Sequence, residues 1–493
     1  MTLNGPRHVV THWATMPVLP PYDLTRFTLF PLYFLMLRRM REDSAMVRER
    51  HRFSGTVRRA LCSPAPMVVV AFLLRMAVLF SNQMSLPPPP LNYFPFPGEE
   101  AAIARSIFTG KGFSSPLGVE SGPTAYLAPL YPYLMAGVFR FFGNSTYRSL
   151  LVLLTMNCAF AALTCIPIYY IGRRAFAESA GVGAGWLWAV LPMGFKFDTR
   201  WVWDTSLVTL LFALLFWATL ALRRLDRLPA WAGYGALWAL ACLTNAAVFS
   251  LWPFFLAWLA FELHKKKLNW VRPIGTSVLV FALGIAPWMI RNYLVFGRII
   301  PFRSTFGPNL YLGNNPIAPS AMWIQPTEDE EEKKKYLDMG EIAYGAEKQQ
   351  EAMKFIRAHP LDFVRFSFRR FATTWTATEG PIADAWRVLP WSNRLLFLLN
   401  CAFSLLAFLG LWLATRTLGR DALPFAIAVF VFPLVYYVTV SFPRYRHPIN
   451  PILTVLVVYA VVLLFSRVSQ AFSAPWAAAV AHGRSGQKTR KSK

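Results

Sequence analysis

Acidic residues are scarce in this chain, 25 Asp and Glu against 50 Lys and Arg, so each carboxylate outside a charge run is a candidate for chemistry. Glu99 and Glu100 open the segment GEEAAIARSIFTGKGF. Ile103, Ala104, Ile107 and Phe108 share one helical face there, and Gly110 and Gly112 stop the helix. Acids in a first turn stabilise a helix through its dipole by about 0.3–1 kcal/mol. A pair held at a membrane surface by an amphipathic helix could also supply a general base. Asp198 and Asp204 follow in FDTRWVWDTSL, with Arg200 between them. Asp204 before Thr205 and Ser206 reads as a helix cap. It also reads, with the glutamates, as part of one site for a polar substrate, or for a divalent cation held by Glu99 and Asp204. Arg444 and Arg446 in SFPRYRHPINP are candidate ligands for an anion, phosphate foremost, and Arg291 in WMIRNYLVFG is a weaker one. His447 reads as a structural neighbour of Pro448 more readily than as a base.

These groups sit in a chain of 493 residues that is 55% hydrophobic, 16% aromatic and 15% charged, with a mean hydropathy of +0.38. Ordinary soluble domains carry about 25% charged residues. The composition excludes a disordered or disulfide-rich secreted protein and argues against a soluble enzyme. The net charge of +25 would suggest nucleic acid in a soluble protein. In a membrane protein it is the Lys and Arg of cytoplasmic loops, and no nucleic-acid partner is expected. Five cysteines without CxxC spacing read as small buried hydrophobes.

A span needs about 20 apolar residues. Ten segments qualify: 65–83, 149–171, 180–197, 204–222, 230–245, 247–263, 274–290, 394–415, 422–441 and 448–466. If residues 126–142 also crossed, the clusters at Arg173-Arg174, Arg223-Arg224-Arg227 and Lys265-Lys266-Lys267 would all lie outside. Leaving 126–142 on the membrane surface puts every one of them inside. The expected fold is therefore all-α and polytopic, with about ten transmembrane helices and both termini cytoplasmic. Residues 1–60 form a basic cytoplasmic tail, in which 27–37 is too short to span and could be an interfacial anchor. Residues 61–290 form a transmembrane module whose first external loop, 84–148, carries the juxtamembrane helices and the catalytic acids. Residues 291–393 form an external helical loop, 394–467 the last transmembrane helices, and 468–493 a second basic tail. The run Glu328–Glu332 against Lys333–Lys335 reads as a solvated helix end. Arg75, inside the first span, must snorkel or pair with a neighbouring helix.

The ordered series GEE…GKGF, PTAYLAPLYPYLMAGVFRFFG, IGRRAFA, TRWVWD, ACLTNAAVFSLWPF, PWMIRNYLVFG, LGNNP and RYRHPINP resembles one known family. It is similar to the bacterial relatives of the protein O-mannosyltransferases and of the lipid A aminoarabinose transferase, in the GT-C glycosyltransferase superfamily. The likeness runs from about Met67 to Phe465. It implies transfer of a sugar from a polyprenyl-phosphate donor to a lipid, glycan or protein acceptor at the outer face of the cytoplasmic membrane. The family's acid in the first external loop, commonly Asp, falls here on Glu99 and Glu100; its acid before the fourth span falls on Asp204. Members differ in metal dependence, so the resemblance implies no certain cofactor.

A sugar C1 bonded to a lipid phosphate already carries a good leaving group. Such an enzyme needs a carboxylate base and one or two arginines for the departing phosphate. It needs no nucleotide loop, and neither GxxxxGK[ST] nor HExxH occurs. The alternative is a transporter or flippase for lipid-linked sugars. That reading predicts charges deep in several spans, and spans two to ten are nearly charge-free.

Overall fold

The computed structural model describes residues 61–84, 98–223, 227–318, 329–377 and 391–466. The basic tails, the 27–37 segment and residues 85–97, 224–226, 319–328 and 378–390 lie outside the described residues. Within them the chain is helical, with one isolated bridge between Ser114 and Pro123.

The first membrane helix, α1 (Pro64–Met84), leads to two short helices, α2 (Glu99–Phe108) and α3 (Leu130–Phe142). With 13 residues, α3 is about 20 Å long, too short for a hydrocarbon core of about 30 Å. Then come α4 (Tyr147–Leu163), α5 (Cys165–Ala175), α6 (Glu178–Val190) and the short α7 (Phe195–Thr199). The central helix is α8 (Thr205–Leu222), followed by α9 (Leu228–Thr244), α10 (Trp252–Lys265) and α11 (Val271–Phe296). A small helical subdomain comprises α12 (Phe306–Gly313), α13 (Glu330–Met339), α14 (Glu341–Ala358) and α15 (Pro360–Thr376). The chain ends in α16 (Trp391–Leu418), α17 (Leu423–Phe430), α18 (Leu434–Val438), a 3₁₀ segment at Pro443–Ile449 and a helix over 450–466.

Helix α8 carries no charge and is buried nearly all round, which makes it the axis of the bundle. Small residues let the neighbours close in. A Cβ on Gly235 would stand 2.3 Å from the Ser277 carbonyl oxygen, and one on Gly172 would stand 2.7 Å from Gly181 Cα. Only glycine permits those crossings of α9 with α11 and of α5 with α6.

Among the described residues, seven helical stretches are long and apolar enough to cross a membrane, against ten expected from the sequence. Three local features account for the difference. The expected span 180–197 is interrupted at Leu191–Gly194, where Pro192 opens a 3₁₀ turn. Leu228–Thr244 is apolar but shorter. The stretch Arg394–Val438 has 45 residues, about 67 Å as one helix, and it turns at Gly419, whose φ is +57°.

That turn marks one end of the bundle. Asp421 pairs with Arg223 at 2.8 Å, Lys266 donates to the Arg223 carbonyl at 2.6 Å, and Arg174 donates to the Leu220 carbonyl at 3.0 Å. The N-terminus of α8 lies at the opposite end, about 27 Å away along its axis. The charge run behaves as a helix start: Asp329 caps α13 through Glu331 and Glu332, and Lys348 bonds Glu332 at 2.9 Å.

Candidate active site

Gly98, at φ +114°, brings the chain into α2 so that Glu99 and Glu100 begin it. A Cβ on Gly98 would touch Glu100 Oε2 at 3.5 Å and Trp203 Nε1 at 3.6 Å, so that turn joins the first acidic motif to the second. Asp204 stands at the start of α8, yet its side chain makes no capping hydrogen bond. Its Oδ2 instead accepts from Asn245 Nδ2 at 2.9 Å. Asn245 ends α9 and accepts the Ala247 N–H at 3.1 Å, which fixes the amide toward Asp204.

Two arginines face these acids. The Arg444 guanidinium lies 3.6 Å from the centroid of Trp203, and Trp203 stacks on Trp201 at 4.6 Å with an interplanar angle of 12°. Arg303 follows α11 in the segment held by Glu341. Glu341 accepts from the Ala125 N–H at 2.9 Å, from Ser304 Oγ at 2.6 Å and from the Thr124 hydroxyl. Tyr131, beside Glu100 and Asp204, donates to Asn157 Oδ1 at 3.2 Å, and Asn157 donates to the Trp201 carbonyl at 3.0 Å. The tryptophan platform is thereby pinned from below.

Burial raises all three carboxyl groups. Glu100 is pushed up to about 8 by desolvation, then by the like charges of Glu99 and Asp204, with Arg444 opposing. Desolvation raises Glu99, while its own backbone hydrogen bond, Arg444 and Arg303 pull it down. Asp204 is raised by desolvation and held back by the Asn245 amide and the same two arginines. Three acids and two guanidiniums thus form one electrostatic unit at the end of the bundle opposite the basic turns.

Among the sequence candidates, the fold brings Glu99, Glu100, Asp204 and Arg444 together. It does not bring Arg446, Arg291 or Arg200 to them. Arg446 is 2% exposed and donates to the Trp375 carbonyl at 2.8 Å, Ser404 Oγ at 2.9 Å and Asn400 Oδ1. Arg291 lies inside α11, not at its end, and clamps the carbonyls of Thr124 (2.6 Å) and Phe113 (2.9 Å). Arg200 donates to Asn82 Oδ1 at 3.0 Å, tying the loop to α1. Arg446 and Arg291, expected to meet phosphate, and Arg200, expected to meet substrate, each donate to protein oxygens instead. Asp198 does not join them either, because it is fully buried against Arg75.

Sequence reasoning missed Asn245 and Arg303. Asn245 stands in the quoted ACLTNAAVFS run, where a lone polar residue between two apolar helices was the available signal. Arg303 had none, since its place depends on the Glu341 contacts.

Among the described residues no group of three His, Cys, Asp or Glu is arranged to hold a metal ion, and Arg444 and Arg303 supply the positive charge facing Glu99 and Asp204.

Comparison with known proteins bears on this geometry. Residues 126–290 match the model of the dolichyl-phosphate-mannose-protein mannosyltransferase family, about a third of the chain, including α3, Asp204 and Asn245. The oligosaccharyltransferase of Archaeoglobus fulgidus in its apo form is similar at a TM-score of 0.50, with 15% identity over 83% of this chain and 52% of that one. The fold is GT-C. An A. fulgidus AglB complex with an inhibitory peptide and a dolichol-phosphate (TM-score 0.48, 16% identity, 84% of this chain and 52% of that one) is also similar. So is ArnT of Cupriavidus metallidurans bound to undecaprenyl phosphate (0.45, 14%, 80% and 59%). The chain spans about half the length of the archaeal structures. No curated protein sequence matches it significantly.

Proposed function

We propose that this GT-C chain is a glycosyltransferase that moves a sugar from a polyprenyl-phosphate carrier to an acceptor at the outer face of the cytoplasmic membrane. The observation that carries the reading is the meeting of Glu99, Glu100 and Asp204 with Arg444 and Arg303 at one end of a membrane bundle. The basic turns cluster at the other end, and Lys and Arg favour the cytoplasmic side, so the acids face outward. The matched family is named for dolichyl-phosphate-mannose, which makes mannose the first sugar to try.

Burial raises both glutamates, Glu100 to about 8. Glu99, on which Arg444 and Arg303 both act, is the residue assigned as the base. The acceptor proton passes to the Glu99 carboxylate as the acceptor oxygen or nitrogen bonds C1. The bond from C1 to the phosphate oxygen breaks, and the electron pair leaves with the polyprenyl phosphate, whose charge Arg444 and Arg303 stabilise. Asp204, fixed by Asn245, orients the acceptor.

Purified protein in liposomes, given polyprenyl-phosphate-linked mannose and then other sugars together with a cell-envelope extract as the source of acceptor, should release free polyprenyl phosphate as sugar appears on the acceptor. Glu99→Gln should lower turnover by about 10²–10⁴ with donor binding nearly intact. Near-normal turnover in Glu99→Gln, Glu100→Gln and Asp204→Asn alike would remove the site. No release from any donor by folded protein would overturn the activity.

A further inference from the structure

Helix α15 is built in angular layers. At 100° per residue, Leu361, Val364 and Phe368 share one edge, and two of them are strongly exposed, Leu361 at 84% and Phe368 at 70%. The next edge carries Arg365 and Arg369, both exposed and without an ion pair among the described residues. Beyond the arginines, Asp362 and Phe366 face a cavity of about 320 Å³ that α15 shares with Phe355, His359 and Pro316. The far side is core: Arg370 is buried and donates to the carbonyls of Gly313 (2.7 Å) and Thr439 (2.6 Å).

Its C-terminal end is fixed to the membrane helices. Ser404 of α16 donates to the Trp375 carbonyl at 2.6 Å, and Thr374 shares a hydrogen bond with Ser441 at 2.8 Å. The exposed stripe lies about two to four turns from that fixed end. Apolar edge, cationic edge and cavity follow one another as hydrocarbon, phosphate and water do in the interface of a bilayer. Asp362 lies 4.0 Å from His359 Nδ1, so the one carboxylate at the cavity is turned to the histidine and the arginines are left for an anion.

We propose that α15 lies in the headgroup layer and that Arg365 and Arg369 bind the phosphate of an anionic phospholipid in the adjoining cavity, with the exposed stripe among its acyl chains. A cation near an anionic lipid surface contributes about fivefold in affinity, so the pair together accounts for roughly 25-fold. The site is separate from the carboxylate cluster and does not depend on the reaction assigned to it.

The test uses the full chain in nanodiscs of phosphatidylcholine with or without phosphatidylglycerol, and native mass spectrometry of the lipids retained on extraction. The wild type should keep phosphatidylglycerol in preference. The Arg365→Ala, Arg369→Ala double variant should lose that preference by more than tenfold, and the paired Lys variants should keep most of it. Arg357→Ala, on exposed α14 surface outside the cavity, should match the wild type. Equal retention of both lipids by the wild type, or undiminished preference in the alanine pair, overturns the proposal. Hydrogen exchange over residues 360–371 of the wild type gives a readout independent of any variant's folding. It should slow when phosphatidylglycerol is present, and unchanged exchange also overturns the proposal.

Discussion

Arg75 Nε lies 2.9 Å from Asp198 Oδ2, and both side chains are closed to solvent. Arg75 also donates to the carbonyls of Ala71 and Ala189, each at 3.2 Å. The other Asp198 oxygen accepts Ser206 Oγ at 2.8 Å and stands 3.8 Å from His447 Nε2. One ion pair thus ties α1 to α6, α7, α8 and the 3₁₀ segment that carries Arg444. Asp198→Asn leaves a buried guanidinium without its counter-ion, which costs about 3–5 kcal/mol. Replacing both partners by apolar residues, Arg75→Met with Asp198→Leu, should cost less than the single change. Thermal unfolding in detergent ranks the two, and a double variant less stable than Asp198→Asn would refute this account of the pair.

Arg444 and Arg446 stand two residues apart in a 3₁₀ segment and point to different tasks. Arg444 lies on Trp203 at the carboxylate cluster, whereas Arg446 fills three acceptors in the interior. A charge-assisted bond to a partly desolvated phosphate is worth about 1.5–3 kcal/mol. Arg444→Ala should therefore weaken donor use by roughly ten- to a hundredfold with little change in unfolding temperature. Arg446→Ala should lower the unfolding temperature and leave the donor KM of the surviving protein unchanged. Steady-state kinetics beside a melting curve would expose an exchange of these roles.

Composition and charge placement made much of this architecture legible. Basic clusters alone assign 126–142 to the membrane surface, and α3 is too short to span. Scarcity picked out Glu99, Glu100 and Asp204, because few acids occur away from charge runs. Helical periodicity failed on α2. The face shared by Ile103, Ala104, Ile107 and Phe108 reads as that of an amphipathic helix on a membrane surface, but Ala104 is fully buried with Tyr131 and Met135. Ala101, Ala102 and Ala104 were the contrary signal, since small residues allow a helix to be enclosed. Asn245 reaches Asp204 across 41 positions, and Arg303 depends on the fold of the 304–341 region. Neither relation has a period, so neither was visible before the chain was folded.

The carboxylate cluster should declare itself in its titration. Glu100, at about 8, is held there first by burial and then by the charges of Glu99 and Asp204. The infrared carbonyl band of a protonated carboxyl should therefore persist at neutral pH, vanish with a midpoint near 8, and be absent from Glu100→Gln. The sign for stability follows from linkage. The folded chain keeps a proton that the unfolded chain releases above the ordinary carboxylate range, so this group's contribution is full at low pH and is lost as pH rises through about 8. Glu99→Gln removes a like charge and should move the midpoint below that of the wild type. Arg444→Ala removes an opposing charge and should move it above. A midpoint indifferent to both substitutions would mean that Glu100 does not share its site with Glu99 and Arg444, and the assignment of Glu99 as the base would lose its physical ground.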